Sequence, residues 1–306
     1  MKIKMLLIAA MALVLTSCYV KETVVTFADA ENMHFTPEGR LFLSSGKGLF
    51  ELRKESNEFI PRKISTQNCA FGGITQIGSV IYTVCSEVKL INGAKWLLAY
   101  DLANEADGLN IIHTIDGVSL TNGLTSDGES TLYMADTNYF GQGTIVKFSL
   151  NGNNKKQVLA QVNNWAGAEQ GISHPNGMQF IDNSILLTDG GAVKRLFLDG
   201  MGVISHSETL ARKTAIFDDL IPYCGGAVVT DYISGQLFYI NSEGDTKFSS
   251  GPATFQGASS VLVGQPPMFN SRQLVVTEKG ILFEDNSQIG NRVSTATFDF
   301  DLATCR

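Results

Sequence analysis

Side chains that carry oxygen ligands stand at the start of four similar segments of this 306-residue sequence. The segments are ENMHFTPEGRLFLSS from Glu31, NGLTSDGESTLYMAD from Asn122, NGMQFIDNSILLTD from Asn176 and DDLIPYCGGAVVTD from Asp218. Two carboxylates and two amide oxygens form a hard-oxygen set, which suits Ca²⁺ best, with Mg²⁺ or Mn²⁺ as alternatives. A cation would also relieve the repulsion between the carboxylates. The four residues are therefore candidate metal ligands if the fold brings them together.

The segments form a repeat of nearly constant length. Each runs from its first residue, here called the head residue, through a turn to a β-rich stretch that ends on a closing residue, Ser45, Asp136, Asp189 or Asp231. Two degenerate copies have their heads at Gly72 and Ser259, so that the six heads are 41 to 54 residues apart. A period of this size built from short strands is typical of a propeller with one four-stranded blade per repeat. The sequence predicts an all-β fold, a six-bladed β-propeller.

A third strand follows the closing residue of each repeat. The six stretches are GLFELR, WLLAYDL, TIVKFSL, AVKRLFL, GQLFYI and GILFED. Near the chain ends, VVTFAD and VSTATFDF are both candidates to complete the last blade, and the pattern does not choose between them. Residues 18–306 are filled by six blades, which favours a single domain.

The first strand of every propeller blade lines the central channel, so that head residues that open this strand converge at one mouth. Other interpretations exist for single residues. An Asn-Gly pair, as at Asn122 and Asn176, commonly forms a turn. The closing aspartates are expected to cap backbone amides. His174 is either a base near the mouth or an incidental loop residue.

The N-terminus predicts export and lipid attachment. Lys2 and Lys4 precede the apolar run LLIAAMALVL, which is too short to span a bilayer. The run ends in Leu-Thr-Ser-Cys at Cys18, which resembles a bacterial lipobox. We expect residues 1–17 to be a lipoprotein signal peptide and Cys18 to carry the lipid, with an ordinary secretory signal as the alternative. The expected location is the bacterial cell envelope, on the periplasm-facing side of the outer membrane.

Charge and cysteine content narrow the classes of partner. The net charge of −7 becomes about −9 once residues 1–17 are removed, which argues against nucleic acid as a partner. The remaining cysteines, Cys69, Cys85, Cys224 and Cys305, lack the spacing of a zinc site. Cys69 precedes the first strand of the second blade and Cys85 ends its second strand, so a Cys69–Cys85 disulfide is predicted.

The repeat resembles the six-bladed propellers of the senescence marker protein/gluconolactonase group and their relatives, the paraoxonases and strictosidine synthases. The similarity covers most of the chain after the signal peptide and is strongest at ENMHFTPEGRLFLSSG, PNGMQF and FDDL. It implies a catalytic divalent cation, usually calcium. The ligands that it implies are Glu31, Asn122, Asn176 and Asp218, with Asp219 as a further candidate.

The sequence departs from these relatives at several positions. Gly72 stands where paraoxonases have a His, and Leu120 where the gluconolactonase group has an Arg. Asn32 and Gly123 replace two aspartates that the second, structural calcium of paraoxonases requires. The resemblance therefore implies one metal site, without the substrate-binding groups known in these relatives.

Two functions are compatible with this pattern. The first is a calcium-dependent hydrolase of a small-molecule lactone or ester, acting as a monomer, with Asp218 as auxiliary base. Loops at the metal face would then supply the candidate substrate-binding residues Tyr139, Phe140, Trp165, His174 and Tyr232, although packing between blades accounts equally well for the aromatic ones. The second is a lipid-anchored propeller that binds a ligand or protein without catalysis.

Overall fold

The computed structural model describes residues 19–87, 93–281 and 289–298, and these residues form six antiparallel sheets of four strands each. Blade 1 consists of β2 (Ala30–Phe35), β3 (Leu41–Ser45), β4 (Gly48–Glu55) and β5 (Glu58–Lys63). Blade 2 consists of β6 (Ala70–Ile77), β7 (Val80–Ser86), β8 (Lys95–Asp101) and β9 (Leu109–Thr114). Blade 3 consists of β10 (Thr121–Ser126), β11 (Thr131–Asp136), β12 (Thr144–Leu150) and β13 (Val158–Ala166).

The other three blades repeat this order, and the last one includes a strand from the N-terminus. Blade 4 consists of β14 (Pro175–Ile181), β15 (Ser184–Asp189), β16 (Ala192–Leu198) and β17 (Ile204–Arg212). Blade 5 consists of β18 (Phe217–Tyr223), β19 (Gly226–Asp231), β20 (Gln236–Ile240) and β21 (Thr246–Ser249). Blade 6 consists of β22 (Ala258–Val263), β23 (Gln273–Glu278), β24 (Arg292–Phe298) and β1 (Tyr19–Thr26).

The first strands of the blades form a closed inner ring. Each of them contacts the first strand of the next blade, and β22 contacts β2 to complete the circle. This arrangement is a six-bladed β-propeller, as the repeat predicts.

The hydrophobic core lies between the blades. In the described part of the chain, the buried apolar residues form clusters that each combine two neighbouring blades. Second strands such as β3 and β15 are buried along their whole length because blades cover both of their faces. Fourth strands such as β17 are mostly exposed. The regular burial makes the inner ring a rigid frame for the head residues.

The strand order of blade 6 shows how the two chain ends complete the last blade, and it differs from one predicted strand. Both ends contribute, because β24 is the third strand of this blade and β1 the fourth. The predicted third strand, GILFED, is wrong: Gly280 and Ile281 lie outside any strand, and the rest of that stretch lies outside the described residues. Its alternation imitates a strand, but the strand that pairs with β23 follows a much longer connection. The other five third strands are confirmed.

Two further sequence predictions concern covalent and membrane features. The Cys69–Cys85 disulfide is confirmed, with 5.8 Å between the Cα atoms. Cys305 lies outside the described residues, as do Cys18 and the predicted signal peptide. Among the residues that the structure describes, no helix has the length and apolar character needed to cross a membrane.

Candidate metal centre

The head residues all lie at irregularities in the inner strands. In blades 1 to 5 the pairing of the first strand with the second shifts across a two-residue bulge, and each bulge begins at the head residue. Blade 6 has a similar shift at Ser259. A bulge leaves residues unpaired and turns their side chains away from the regular alternation. Here it is the device that presents the head residues in the channel.

Hydroxyl groups on the second strands hold these bulges. The backbone N–H that follows the head residue donates to Ser44 in blade 1, to Thr188 in blade 4 and to Thr230 in blade 5, at 2.8–3.1 Å. Each of these hydroxyls lies one residue before a closing residue. The bulged backbone is therefore hydrogen-bonded even though it has left the strand ladder.

The Asn-Gly pairs are explained by close approach between blades rather than by turns. A Cβ atom on Gly123 would lie 2.1 Å from the Asn176 carbonyl oxygen. A Cβ atom on Gly177 would lie 2.5 Å from the Cα atom of Asp219. Glycine after the head residue thus lets blades 3, 4 and 5 meet backbone to backbone beside Asn122, Asn176 and Asp218.

Asp218 and Asn176 are in direct contact. The amide Nδ2 of Asn176 donates to Asp218 Oδ1 at 2.5 Å. Asp218 retains some exposure to the channel, but protein atoms enclose its carboxylate, and this desolvation together with the nearby Glu31 raises its pKa well above the usual range. Lys279 and the Asn176 hydrogen bond oppose the shift. The enclosed site therefore favours the protonated form of Asp218 more than water does.

Asp219 has a different role although it is the next residue. It is 3% exposed, and its Oδ2 accepts hydrogen bonds from Ser260 Oγ at 2.6 Å and from Asn32 Nδ2 at 3.2 Å. Burial raises the pKa of Asp219 to about 6, against the effect of the Ser260 hydrogen bond. Asp219 links blades 1, 5 and 6 across the channel. Asn32 stands where paraoxonases have an aspartate for their second calcium, and here it donates to the Asp219 carboxylate.

Glu31 is paired with a cation of the protein itself. The Nζ atom of Lys279 donates to Glu31 Oε2 in a short contact, and it lies 3.4 Å from Asp29 Oδ1. The side chains of all three residues are less than one-fifth exposed. Desolvation would lower the pKa of Lys279, but the Glu31 and Asp29 carboxylates outweigh it and raise this pKa. Lys279 is therefore a fixed positive charge at the mouth of the channel.

Two of the predicted substrate-binding aromatics lie near these charges. Tyr139 is exposed, yet desolvation of its hydroxyl and the charges of Asp218 and Glu31 raise its pKa to about 12. Burial, with the same two carboxylates, also raises the pKa of Tyr232, whose hydroxyl donates to the Gly280 carbonyl at 2.7 Å. The fully exposed Phe140 is in the same loop as Tyr139. These three residues lie on the head-residue face.

Trp165 and His174 are placed differently. Trp165 is on β13, the outermost strand of its blade, where its ring lies 4.7 Å from that of Tyr133 and beneath the Lys147 ammonium group. It is thus a blade-packing residue three strands from the channel. His174 immediately precedes β14 on the head-residue face, and its backbone N–H donates to Asp189.

The closing aspartates cap backbone amides, as predicted. Oδ1 of Asp136 accepts the N–H groups of Ser119 and Leu120 at 2.7 and 3.0 Å. Asp189 accepts both corresponding N–H groups in blade 4, and Asp231 accepts one of them in blade 5. These contacts fix the segment that leads into each head residue, which makes the aspartates positioning residues for the channel.

The residue that sequence reasoning missed is Lys279. It directly follows Glu278, the last residue of β23 in blade 6. The equivalent residues of blades 3 and 5, Thr137 and Tyr232, also reach the following blade, where they donate to the carbonyls of Pro175 and Gly280. The sequence therefore contains a sign of this contact: the residue directly after each of these second strands reaches the following blade.

Solved structures share this architecture over nearly the whole chain. Regucalcin from Agrobacterium tumefaciens, described as a calcium-binding protein, superposes with a TM-score of 0.66 at 15% identity, covering 91% of this chain and 93% of that one. A luciferin-regenerating enzyme gives 0.66 at 14% identity, covering 92% and 95%. A gluconolactonase from Xanthomonas campestris gives 0.63 at 12% identity, covering 91% and 89%. No family model and no curated protein matches the sequence.

The fold is that of the SMP30/gluconolactonase propellers. At 12–15% identity the likeness establishes the fold, so that the chemistry has to be argued from the residues of this chain.

The chemistry of the donor set fits a hard divalent cation. Glu31 and Asp218 supply carboxylates, and Asn122 and Asn176 supply amide oxygens, which are the groups that calcium prefers. Desolvation and the charge of Glu31 raise the pKa of Asp218, and a bound divalent cation would offset both effects. Within the described ranges, no group of three or more His, Cys, Asp or Glu residues could hold a metal. The proposed ligand set differs from such groups because the amide oxygens of two asparagines supply half of its donors.

Proposed function

We propose that this protein is a calcium-dependent hydrolase of a lactone or related ester. The observation that carries the proposal is the enclosed Asp218 carboxyl, which accepts a hydrogen bond from Asn176 and whose pKa is raised by desolvation and by the neighbouring Glu31. The fold shared with a gluconolactonase and a calcium-binding regucalcin supports it. Calcium is the preferred ion because every donor is a hard oxygen.

Asp218 is the proposed auxiliary base. A carboxylate beside the ion is placed to accept a proton from the attacking water, and the hydrogen bond from Asn176 orients it. The bound ion would supply Lewis-acid polarisation of the substrate carbonyl. Glu31, Asn122, Asn176 and Asp218 would hold the ion. Tyr139, Phe140, Tyr232 and His174 would surround the mouth in which the substrate binds.

The test is a panel of lactones and esters offered to the purified protein with added calcium, with chelator, and with calcium restored. We expect hydrolysis that the chelator abolishes and calcium restores. Asp218→Ala should lower kcat/KM by at least about a hundredfold while the fold is retained. Asp245→Ala, which removes an exposed carboxylate paired with Lys247, is the matched control and should keep full activity. A calcium-saturated protein that hydrolyses none of the compounds would contradict the proposal.

A second candidate function is a non-catalytic propeller that binds a ligand or protein partner. The observation that favours it is the Lys279–Glu31 ion pair, which supplies positive charge to the channel without an ion. In that case calcium would raise the melting temperature at most, and no substrate would turn over.

We also propose attachment to the cell envelope through a lipid on Cys18, with the propeller acting as a monomer on small molecules. The lipobox-like Leu15–Cys18 sequence and the net negative charge, which disfavours nucleic acid, support this part of the proposal.

A further inference from the structure

Lys279 already occupies one carboxylate oxygen of Glu31, a proposed metal ligand. Its ammonium group contacts Glu31 Oε2, and Asp29 Oδ1 is 3.4 Å away. The charge of Lys279 also acts on Asp218, the second carboxylate of the proposed ion site. One side chain thus compensates both carboxylates that the ion would otherwise neutralise.

The backbone of Lys279 is held firmly. Its N–H donates to the Gly257 carbonyl at 2.8 Å, and the next N–H donates to the Gln256 carbonyl at 3.1 Å. Tyr232 donates to the carbonyl of Gly280. Any movement away from Glu31 therefore belongs to the side chain, whose flexible stem reaches the mouth and is 18% exposed.

A divalent ion bound to Glu31 would lie close to the Lys279 ammonium group, which contacts Oε2 of the same carboxylate. Both cations seek oxygen ligands, and two cations a few ångströms apart in a partly desolvated channel repel each other strongly. Each also stabilises the protein in the absence of the other, because an uncompensated carboxylate in this position is costly.

We infer that Lys279 is a tethered competitor of the divalent ion: the ion binds Glu31 only after the Lys279 side chain has moved out of the channel. The inference rests on the proposed ion site and adds a property of this chain, namely that its calcium affinity is set by displacement of its own lysine. The protein alternates between a lysine-filled and an ion-filled channel, and the calcium concentration sets the balance.

The experiment measures calcium affinity by titration calorimetry and melting temperature with and without calcium. Lys279→Met should bind calcium at least about tenfold more tightly than the wild type, because the competing charge is gone. In chelator its melting temperature should fall below that of the wild type, and calcium should raise it by more than it raises the wild-type value.

Two matched variants separate charge from the loss of any ion-paired lysine. Lys279→Arg keeps a cation at the mouth and should keep the weak wild-type affinity. Lys156→Met removes the partner of Asp101 in an ion pair away from the head-residue face, with Nζ and Oδ2 2.9 Å apart, and should leave calcium affinity unchanged.

The inference is overturned if folded Lys279→Met binds calcium no more tightly than the wild type, or if neither protein binds calcium. It is also overturned if Lys156→Met gains affinity equally. The expected binding pattern without hydrolysis of any lactone or ester would support the inference and contradict only the proposed hydrolase, since binding and turnover are measured separately.

Discussion

His34 follows Glu31 on the same inner strand and lies deeper in the channel. Its Nε2 atom is 3.3 Å from Gln76 Oε1 of blade 2. Protein surrounds the imidazole, and this desolvation lowers the pKa of His34 to about 4, although the Gln76 hydrogen bond opposes the shift. The channel below the head residues therefore favours a neutral histidine.

His34 should make the protein sensitive to acid. The unfolded chain binds a proton near pH 6.5 and the folded protein only near pH 4, so this contribution to stability is complete above pH 6.5 and is lost as the pH falls to about 4. The loss is at most roughly 3 kcal/mol. His34→Gln should remove this part of the pH dependence, as measured by urea unfolding at pH 7 and 4.5. His206→Gln, on an outer strand, is the control, and equal pH profiles for His34→Gln and the wild type would contradict the prediction.

For single residues, the sequence predicted which side chains stand at the head positions better than it predicted which side chains contact them. The oxygen-bearing heads could be found because each stands 13 or 14 residues before the closing residue of its segment. Lys279 could not be assigned to Glu31 from spacing alone, because the pair joins blades 6 and 1 across 248 residues. The position of Trp165 could not be predicted for a related reason. The sequence around Trp165 does not show whether this residue belongs to an inner or an outer strand of its blade.

The inner strands depend on small residues where they meet. Gly177 is the clearest case, because a Cβ atom there would lie 2.3 Å from Asp219 Oδ1 as well as against its Cα. Movement of the Asp219 carboxylate alone would not relieve the clash, because the backbone of Asp219 is also too close. The bulge, the glycine and the hydroxyl of Thr188 therefore form one unit that positions Asn176.

Gly177→Ala should separate blades 4 and 5 at the level of the head residues. We expect a loss of about 1–3 kcal/mol in unfolding free energy, measured by denaturant titration, since the added methyl group has no room. Calcium affinity should fall as well, because Asn176 and Asp218 are moved apart. Gly152→Ala is the control: nothing lies within 4 Å of the added Cβ atom, and that variant should be as stable as the wild type. Unchanged stability and affinity for Gly177→Ala would show that the strands are not held by close packing.

Strand prediction succeeded wherever the repeat was regular and failed where a connection lengthened. Five third strands begin no more than nine residues after the second strand ends, so their position in the repeat located them. In blade 6 the true third strand begins at Arg292, well after Glu278. Hydrophobic alternation records which residues suit a strand, and it carries no information about which of two such stretches pairs with β23.

Over the whole molecule, the N-terminal strand fastens the ring. Lys21 of β1 pairs with the buried Glu278 of β23 at 2.8 Å, and Ser294 of β24 donates to the same carboxylate. Tyr19, the first residue of β1, follows Cys18 in the sequence. A lipid on Cys18 would therefore attach at the outer edge of blade 6, without a linker.

Cys18→Ser should prevent lipid attachment. We expect wild-type protein in the membrane fraction with incorporated fatty-acid label, and an unlabelled variant that retains its signal peptide. Ser17→Ala keeps a small residue before the cysteine and should still be labelled. Wild-type protein that is found free in the periplasm without label would contradict the lipobox interpretation.

The fastening of blade 6 by β1 also sets an order of events during synthesis. β1 is made first and β24 last, so the first strand has to wait unpaired until almost the entire chain exists. The blades between them are hairpins of neighbouring strands and can form early, whereas ring closure brings together the most distant parts of the chain and is the slow step. During that interval the edges of blade 6 are open to pairing with other chains. A chain that is cut short before β24 would remain permanently at this stage, with five blades formed and its first strand still unpaired.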